Sequence, residues 1–207
     1  MNNEQTNKYG GKFWNERYSS YEWVYGTAPN KFFKAELDKL KPGKILLIGE
    51  GEGRNAVYAA LSGWQVDAVD FSKVAKEKAL KLAEQNSVSI NYEIADLSDY
   101  QMKMEKYNAV AIIFAHLNKN IRDRIHSDIS KALKPKGTVI SEVFAKEQLG
   151  RASGGPQNTD MLYSTEELRK EFKELNIKYL NKIIINLNES EHHEGEAVVV
   201  RMVAEKN

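Results

Sequence analysis

The sequence predicts an α/β fold in three layers, with a mostly parallel sheet between two layers of helices. Five short apolar runs alternate with amphipathic helical stretches, which predicts parallel strands joined by right-handed crossovers. Near the C-terminus, two long segments of alternating apolar and polar residues, 177–189 and 196–206, flank the turn ESEHHEG. They predict an antiparallel hairpin that closes one edge of the sheet.

Each element has its own signature. KILLIG at 44–49 is a continuous apolar run, typical of a strand covered on both faces. The later parallel strands are predicted at 64–70, 89–96, 107–116 and 138–144. Helices are predicted from Asn30 to Pro42-Gly43 and at 56–63, 73–86, 121–133 and 164–175. Ser72 is the expected cap of the third helix, and Ser164 with Glu167 predicts a capping box.

Composition excludes several classes of protein. A chain of 207 residues with 42% hydrophobic and 29% charged residues favours one globular domain, 1–207. A net charge of +1 argues against wholesale nucleic-acid binding, and we expect a solvated helix face where basic residues cluster at 119–136. The absence of cysteine excludes disulfides, cysteine–zinc sites and a cysteine nucleophile. With no leader-like or membrane-spanning apolar run, we expect a cytoplasmic protein that binds no membrane.

The sharpest local signal is the glycine-rich turn GEGEGRN (49–55) after the first strand. Its glycines permit a tight turn and a close approach to a ligand. The spacing is G-x-G-x-G, whereas a dinucleotide fingerprint is G-x-G-x-x-G, and Arg54 stands at the sixth position. Glu50 and Glu52 would repel a pyrophosphate, so the turn favours a ligand with an ammonium or sulfonium group. An ordinary tight βα turn is the alternative.

An acidic residue follows each of the next two strands. Asp70 comes 17 residues after Gly53 and suits the hydroxyls of a ribose, with Phe71 beside it to pack on a purine. Asp96-Leu97 lies where a carboxylate can accept from an adenine amino group. Alone, either aspartate is an ordinary turn residue. Together with the glycine turn they predict the ligand crevice of an open α/β sheet.

The segments GKILLIGEGEGRNAVYAA, WQVDAVDFS, EIADL and YNAVAIIFAHL together resemble a class I S-adenosylmethionine-dependent methyltransferase. The chain is most similar to the small tellurite-resistance and thiopurine-type enzymes. The resemblance implies a Rossmann-like methyltransferase fold of seven strands with the last one reversed, a core at 44–145, and S-adenosyl-L-methionine as cofactor. One departure is Leu47, where the family usually has an acid, and Glu50 is the nearest substitute.

The expected cofactor-binding residues follow from the turn, the acids and the resemblance. They are Gly49, Glu50, Gly51, Gly53, Asn55, Asp70, Phe71, Asp96, Leu97, Phe114, Trp14, Arg17, Tyr25 and Gly26. The last four belong to an aromatic segment, 1–29, that we expect to form a lid and that also holds Tyr18, Tyr21 and Trp23. In this lid, Arg17 would pair with the carboxylate of the cofactor. The alternative is an N-terminal helix whose rings merely pack on the sheet.

His116, at the end of the fourth strand, is the candidate catalytic base, although its ring could equally satisfy loop backbone. We expect methyl transfer to a small molecule, preferentially a thiol or chalcogen, by a monomer or homodimer. The alternatives are O- or N-methylation with His116 as base, a non-catalytic cofactor-binding module, and a nicotinamide-dependent reductase. Gly154-Gly155-Pro156 and ESEHHEG are expected to complete the substrate wall. We expect no metal site, and His192-His193 to be a solvated hairpin tip.

Overall fold

The computed structural model describes residues 11–20 and 22–207. The part of the expected lid at residues 1–10, together with Tyr21, lies outside the described residues. The helices are α1 (Gly11–Arg17), α2 (Lys31–Leu37), α3 (Arg54–Leu61), α4 (Lys73–Gln85), α5 (Lys119–Ala132) and α6 (Thr165–Glu171). The strands are β1 (Lys44–Ile48), β2 (Gln65–Asp70), β3 (Asn91–Ile94), β4 (Tyr107–Ile113), β5 (Leu133–Phe144), β6 (Asn176–Ser190) and β7 (His193–Glu205).

The seven strands form one sheet in the order β3-β2-β1-β4-β5-β7-β6. The first five strands of this order are parallel, and β7 runs antiparallel to both of its neighbours. The predicted mostly parallel, seven-stranded sheet with an antiparallel C-terminal hairpin is therefore confirmed. Since β1 lies between β2 and β4, the chain reverses its direction of winding at the gap between β1 and β4.

Helices cover both faces of the sheet. Alternate side chains of each strand point to opposite faces, and in the central strands both sets are apolar and need to be buried. Leu47 packs in one core with Phe33 of α2 and Ala56 of α3. Leu46 packs in the other core with Ile125 of α5. The continuous apolar run of β1 is thus explained by burial on both faces.

Both predicted helix caps are present. The Ser72 hydroxyl accepts from the Ala75 N–H at 3.1 Å. Ser164 and Glu167 exchange hydrogen bonds with each other's backbone N–H, which completes the capping box of α6. The chain therefore enters α4 and α6 where the sequence predicts.

Three local expectations were wrong. No helix separates β3 from β4 within residues 95–106, so that crossover is a loop. β5 begins at Leu133 instead of at the predicted residue 138, because backbone bonds join Lys136 and Gly137 to Lys206. Arg122 of the basic cluster is only 1% exposed, since it pairs with Glu171 at 3.0 Å between α5 and α6. Among the described residues, no helix is both long and apolar enough to span a bilayer.

Candidate active site

A cavity of about 310 Å³ opens at the carboxyl ends of the central strands, where the winding reverses between β1 and β4. Ligands of open α/β sheets bind at this switch point. Ten of the residues predicted from the sequence line it: Trp14, Arg17, Tyr25, Gly26, Gly49, Glu50, Gly51, Asn55, Phe114 and His116. The expected wall at Gly154-Gly155-Pro156 and at the tip of the β6–β7 hairpin also lines the cavity.

Two glycines of the turn after β1 leave no room for a side chain on the cavity wall. Gly49 has φ +65°, and a Cβ there would lie 2.7 Å from the Ala115 Cβ. Gly51 has φ +63°, and a Cβ there would lie 2.7 Å from the Tyr18 hydroxyl oxygen. Gly53 has a different role, because its missing Cβ lets α3 approach Ala79 of α4. Gly53 does not line the cavity.

The two carboxyl groups of the turn have different partners. Glu50 is buried and accepts the Ala56 N–H at 2.7 Å, at the start of α3. Burial raises the pKa of its carboxyl to about 8, against the opposing effect of the Ala56 hydrogen bond. Glu52 accepts the Val24 N–H at 2.8 Å and pairs with Lys78 at 2.6 Å. Glu52 thus fastens the N-terminal segment, while Glu50 offers a buried carboxyl at the cavity.

Asp70 ends β2 as predicted but does not line the cavity. Its oxygens accept from the Gly51 N–H at 3.1 Å and the Ser72 N–H at 2.9 Å. Burial raises the pKa of the Asp70 carboxyl to about 6. Helix α1 lies over this end of the sheet: Asn15 accepts from the Ser72 hydroxyl at 2.7 Å, and Gly11 lies against the Phe71 ring. Contact of Asp70 and Phe71 with an adenosine stays a prediction.

The predicted adenine end also lies outside the cavity. Asp96 is exposed and accepts the Ser98 N–H at 2.7 Å. Leu97 is 6% exposed and belongs to the core beneath α5. Their contact with an adenine remains a prediction.

His116 lines the cavity just beyond β4. Its Nδ1 lies 3.1 Å from the Met161 carbonyl oxygen, so Nδ1 carries the proton and donates. Nε2 is buried and has no hydrogen-bond partner among the described residues, and the ring stacks on Phe144 at 5.2 Å. Burial lowers the pKa of His116 to about 4. A neutral His116 can accept a hydrogen bond, but it is a weak base.

His193 is not a solvated hairpin tip, so that expectation was wrong. The residue is 6% exposed, lines the cavity and bonds through Nδ1 to Glu189 at 3.2 Å. Only the i, i+4 spacing of Glu189 and His193 hinted at this pair. The cavity also holds Phe144, Met161 and Arg54, which the sequence analysis did not select. Within residues 11–20 and 22–207, no three His, Asp or Glu side chains converge as a metal site would require.

Comparisons with known proteins give the site a family context. A family model described as "Methyltransferase domain" matches residues 45–137. The chain is similar to ribosomal protein L11 methyltransferase of Dictyoglomus turgidum, with 31% identity over 120 residues, 58% of this chain and 36% of that protein. The chain thus spans little more than a third of the length of the curated relatives it matches, 36% and 37%.

Solved structures share the fold. TehB from Haemophilus influenzae superposes with a TM-score of 0.72 at 17% identity, over 95% of this chain and 67% of that one. A protein studied for the conversion of a disulfide bond into a thioacetal group during echinomycin biosynthesis gives 0.74 at 17% identity, over 98% and 92%. At these identities the likeness shows the fold alone.

Proposed function

Because residues 45–137 carry a methyltransferase domain of the class I S-adenosylmethionine-dependent type, we propose that this chain transfers a methyl group to a small-molecule acceptor in the cavity. The observation that carries the proposal is the composition of the cavity at the switch point. Glycine backbone, the buried carboxyl of Glu50 and the rings of Trp14 and Tyr25 line one space. Ring faces attract a cation, and a cation in the cavity would in turn favour ionisation of the Glu50 carboxyl, so this lining fits a sulfonium ligand.

The expected cofactor contacts divide into two groups. The methionine part would lie against Gly49, Gly51 and Glu50, with Arg17 available for its carboxylate. The adenosine part would extend toward Asp70 and the residues after β3. We propose that the N-terminal segment acts as the lid, since Glu52 fastens it directly to the glycine turn.

S-adenosyl-L-methionine supplies a methyl group already activated on a sulfonium, so the protein must align the acceptor and exclude water. Such alignment supplies about 7–11 kcal/mol of the barrier. The low pKa of His116 argues against a strong base at that position. A thiol or chalcogen acceptor, which needs little assistance from a base, is therefore the acceptor class we propose first.

Two other readings have less support. O- or N-methylation with His116 as base would need a histidine of higher pKa. A non-catalytic cofactor-binding module would leave the substrate wall at Gly154-Gly155-Pro156 without a role.

Binding and turnover separate these readings. Calorimetry with S-adenosylhomocysteine and with NADH comes first, followed by methylation of sulfide, thiophenol, phenol and aniline in parallel. We expect binding of S-adenosylhomocysteine alone and fastest methylation of the sulfur acceptors. Binding without methylation of any probe would favour the non-catalytic module, whereas binding of NADH alone would overturn the proposal.

A further inference from the structure

A second histidine of the cavity is paired with a carboxylate. His193 lies at the start of β7, and its Nδ1 is 3.2 Å from the Oε2 of Glu189 near the end of β6. An ionised carboxylate only accepts hydrogen bonds, so Nδ1 carries the proton and donates. The remaining ring nitrogen, Nε2, therefore carries the lone pair. His193 is held in the tautomer that a proton acceptor needs.

Glu189 is itself held ionised. The Arg54 guanidinium lies 2.9 Å from the same Oε2, and the Asn30 amide donates to Oε1 at 3.4 Å. Burial opposes ionisation, but the hydrogen bond from His193 and the charge of Arg54 outweigh it and lower the pKa of Glu189 to about 2. Arg54, in the position of the third fingerprint glycine, thereby connects the glycine turn to the hairpin.

The ring of His193 is fixed by aromatic neighbours. Its centroid lies 4.7 Å from the Tyr25 ring, 4.7 Å from the Phe114 ring and 5.5 Å from the Phe144 ring. Gly154 has φ +114°, and a Cβ there would lie 2.9 Å from the Cδ2 of His193. The glycine-rich connection after β5 therefore closes directly on this ring. Tyr25 and Phe114 are expected cofactor contacts, so the ring borders the space in which the cofactor is expected.

The two cavity histidines differ in what would stabilise an added proton. His116 has only a carbonyl oxygen as its Nδ1 partner. His193 has a carboxylate, which stabilises a neighbouring imidazolium as in other carboxylate–histidine pairs. The titratable or charged groups that act on His193 are Glu189, Arg54, His192, His116 and Tyr25. Burial lowers the pKa of His193, while the Glu189 bond opposes that shift.

We propose that the Glu189–His193 pair is the proton acceptor of the cavity, and that its substrates include acceptors whose attacking atom still carries a proton, such as a hydroxyl or an un-ionised thiol. The inference rests on the proposed methyl transfer. The attacking oxygen or sulfur forms a bond to the methyl carbon, and the bond from that carbon to the sulfonium breaks with its electron pair left on sulfur. The acceptor's proton passes to Nε2 of His193, and the imidazolium later loses it to water.

Titration of the histidine rings tests the pair without any acceptor. ¹⁵N NMR of the wild type, with and without S-adenosylhomocysteine, reports the tautomer and pKa of each ring, and His193→Asn assigns the signal. We expect a proton on Nδ1 of His193, and a drop in its pKa of about one unit or more in Glu189→Gln. Glu194→Gln, an exposed change on the same hairpin, should leave the titration unchanged. A proton on Nε2 of His193, or the same His193 pKa in the wild type, Glu189→Gln and Glu194→Gln, would overturn the pairing.

Turnover tests the chemical role with two probes, thiophenol, which is ionised at the assay pH, and phenol, which is not. We expect His193→Asn and Glu189→Gln to lower kcat for phenol by about 10²–10⁴-fold and for thiophenol by less than about tenfold. His116→Asn should affect both probes alike. Equal losses for the two probes in His193→Asn, or a wild type that methylates only thiophenol, would overturn the inference. A wild type that fails to bind S-adenosylhomocysteine would instead overturn the proposed function, while the titration would still report on the pair.

Discussion

Replacing Glu50 by Gln removes a buried titratable carboxyl from the glycine turn and keeps its hydrogen bond. Glu50 is 9% exposed, and its Oε1 accepts the Ala56 N–H at 2.7 Å. A glutamine oxygen can accept the same bond. The substitution therefore isolates the cost of ionising this carboxyl in the folded protein.

The sign of the effect follows from the raised pKa. The Glu50 carboxyl titrates at its ordinary 4.5 when the chain is unfolded and at about 8 when it is folded. The folded chain thus binds this proton more tightly, and the resulting stabilisation is complete below about pH 4.5 and is lost as the pH rises through about 8. At about 1.4 kcal/mol per pKa unit, the lost stabilisation reaches up to about 5 kcal/mol, a large part of a typical stability.

Urea unfolding at about pH 5, 7 and 9 measures this effect. We expect the unfolding free energy of Glu50→Gln minus that of the wild type to increase as the pH rises, by up to about 5 kcal/mol. Glu77→Gln, an exposed change on α4, should follow the wild type throughout. Parallel pH dependences for the wild type and Glu50→Gln would refute the reasoning.

Two further predictions concern packing around the site. Gly53 and Gly150 both have a positive φ, +91° and +82°, but a Cβ added at Gly53 would lie 2.6 Å from Ala79, whereas one added at Gly150 would meet nothing within 4 Å. We therefore expect urea unfolding to show Gly53→Ala less stable than Gly150→Ala by about 1–3 kcal/mol. Equal losses of stability in the two variants would contradict the close-packing role of Gly53. The Tyr163 hydroxyl donates to the Ala115 carbonyl at 3.1 Å behind the loop that carries His116. Tyr163→Phe should cost about 1–3 kcal/mol of stability and lower kcat more than it raises KM, whereas unchanged kcat would contradict a positioning role.

Most strands and helices could be predicted because the sequence patterns that determine them involve residues close together in the chain. The apolar run of β1 predicts burial on both faces, and Ser72 and Ser164 mark helix starts through hydrogen bonds to nearby backbone. The path of β5 was misread because the bonds that extend it come from Lys206, far along the chain. Local patterns cannot report such partners.

In the candidate site too, features set by local sequence could be predicted, and features set by contacts between distant segments could not. The glycine turn and Phe114 follow strand ends, so sequence order brought them to one cavity. The burial of His193 depends on Gly154 and Tyr25, which lie on distant segments, and only the fold brings them together. An N-terminal helix packed on the sheet was one of the two predicted arrangements, but its position over the end of β2 depends on the Asn15–Ser72 contact, which no local pattern reports.

The most direct test of cofactor binding at this edge of the sheet is calorimetric titration with S-adenosylhomocysteine at about pH 8. The wild type is compared with Asp70→Asn and with Asp99→Asn, an exposed change in the loop after β3. Hydrogen bonds from ribose hydroxyls to a charged carboxylate are each worth about 1.5–3 kcal/mol, so we expect Asp70→Asn to bind at least about tenfold more weakly. Asp99→Asn should bind like the wild type. Equal affinities for the wild type and Asp70→Asn would contradict the placement of the adenosine at the end of β2.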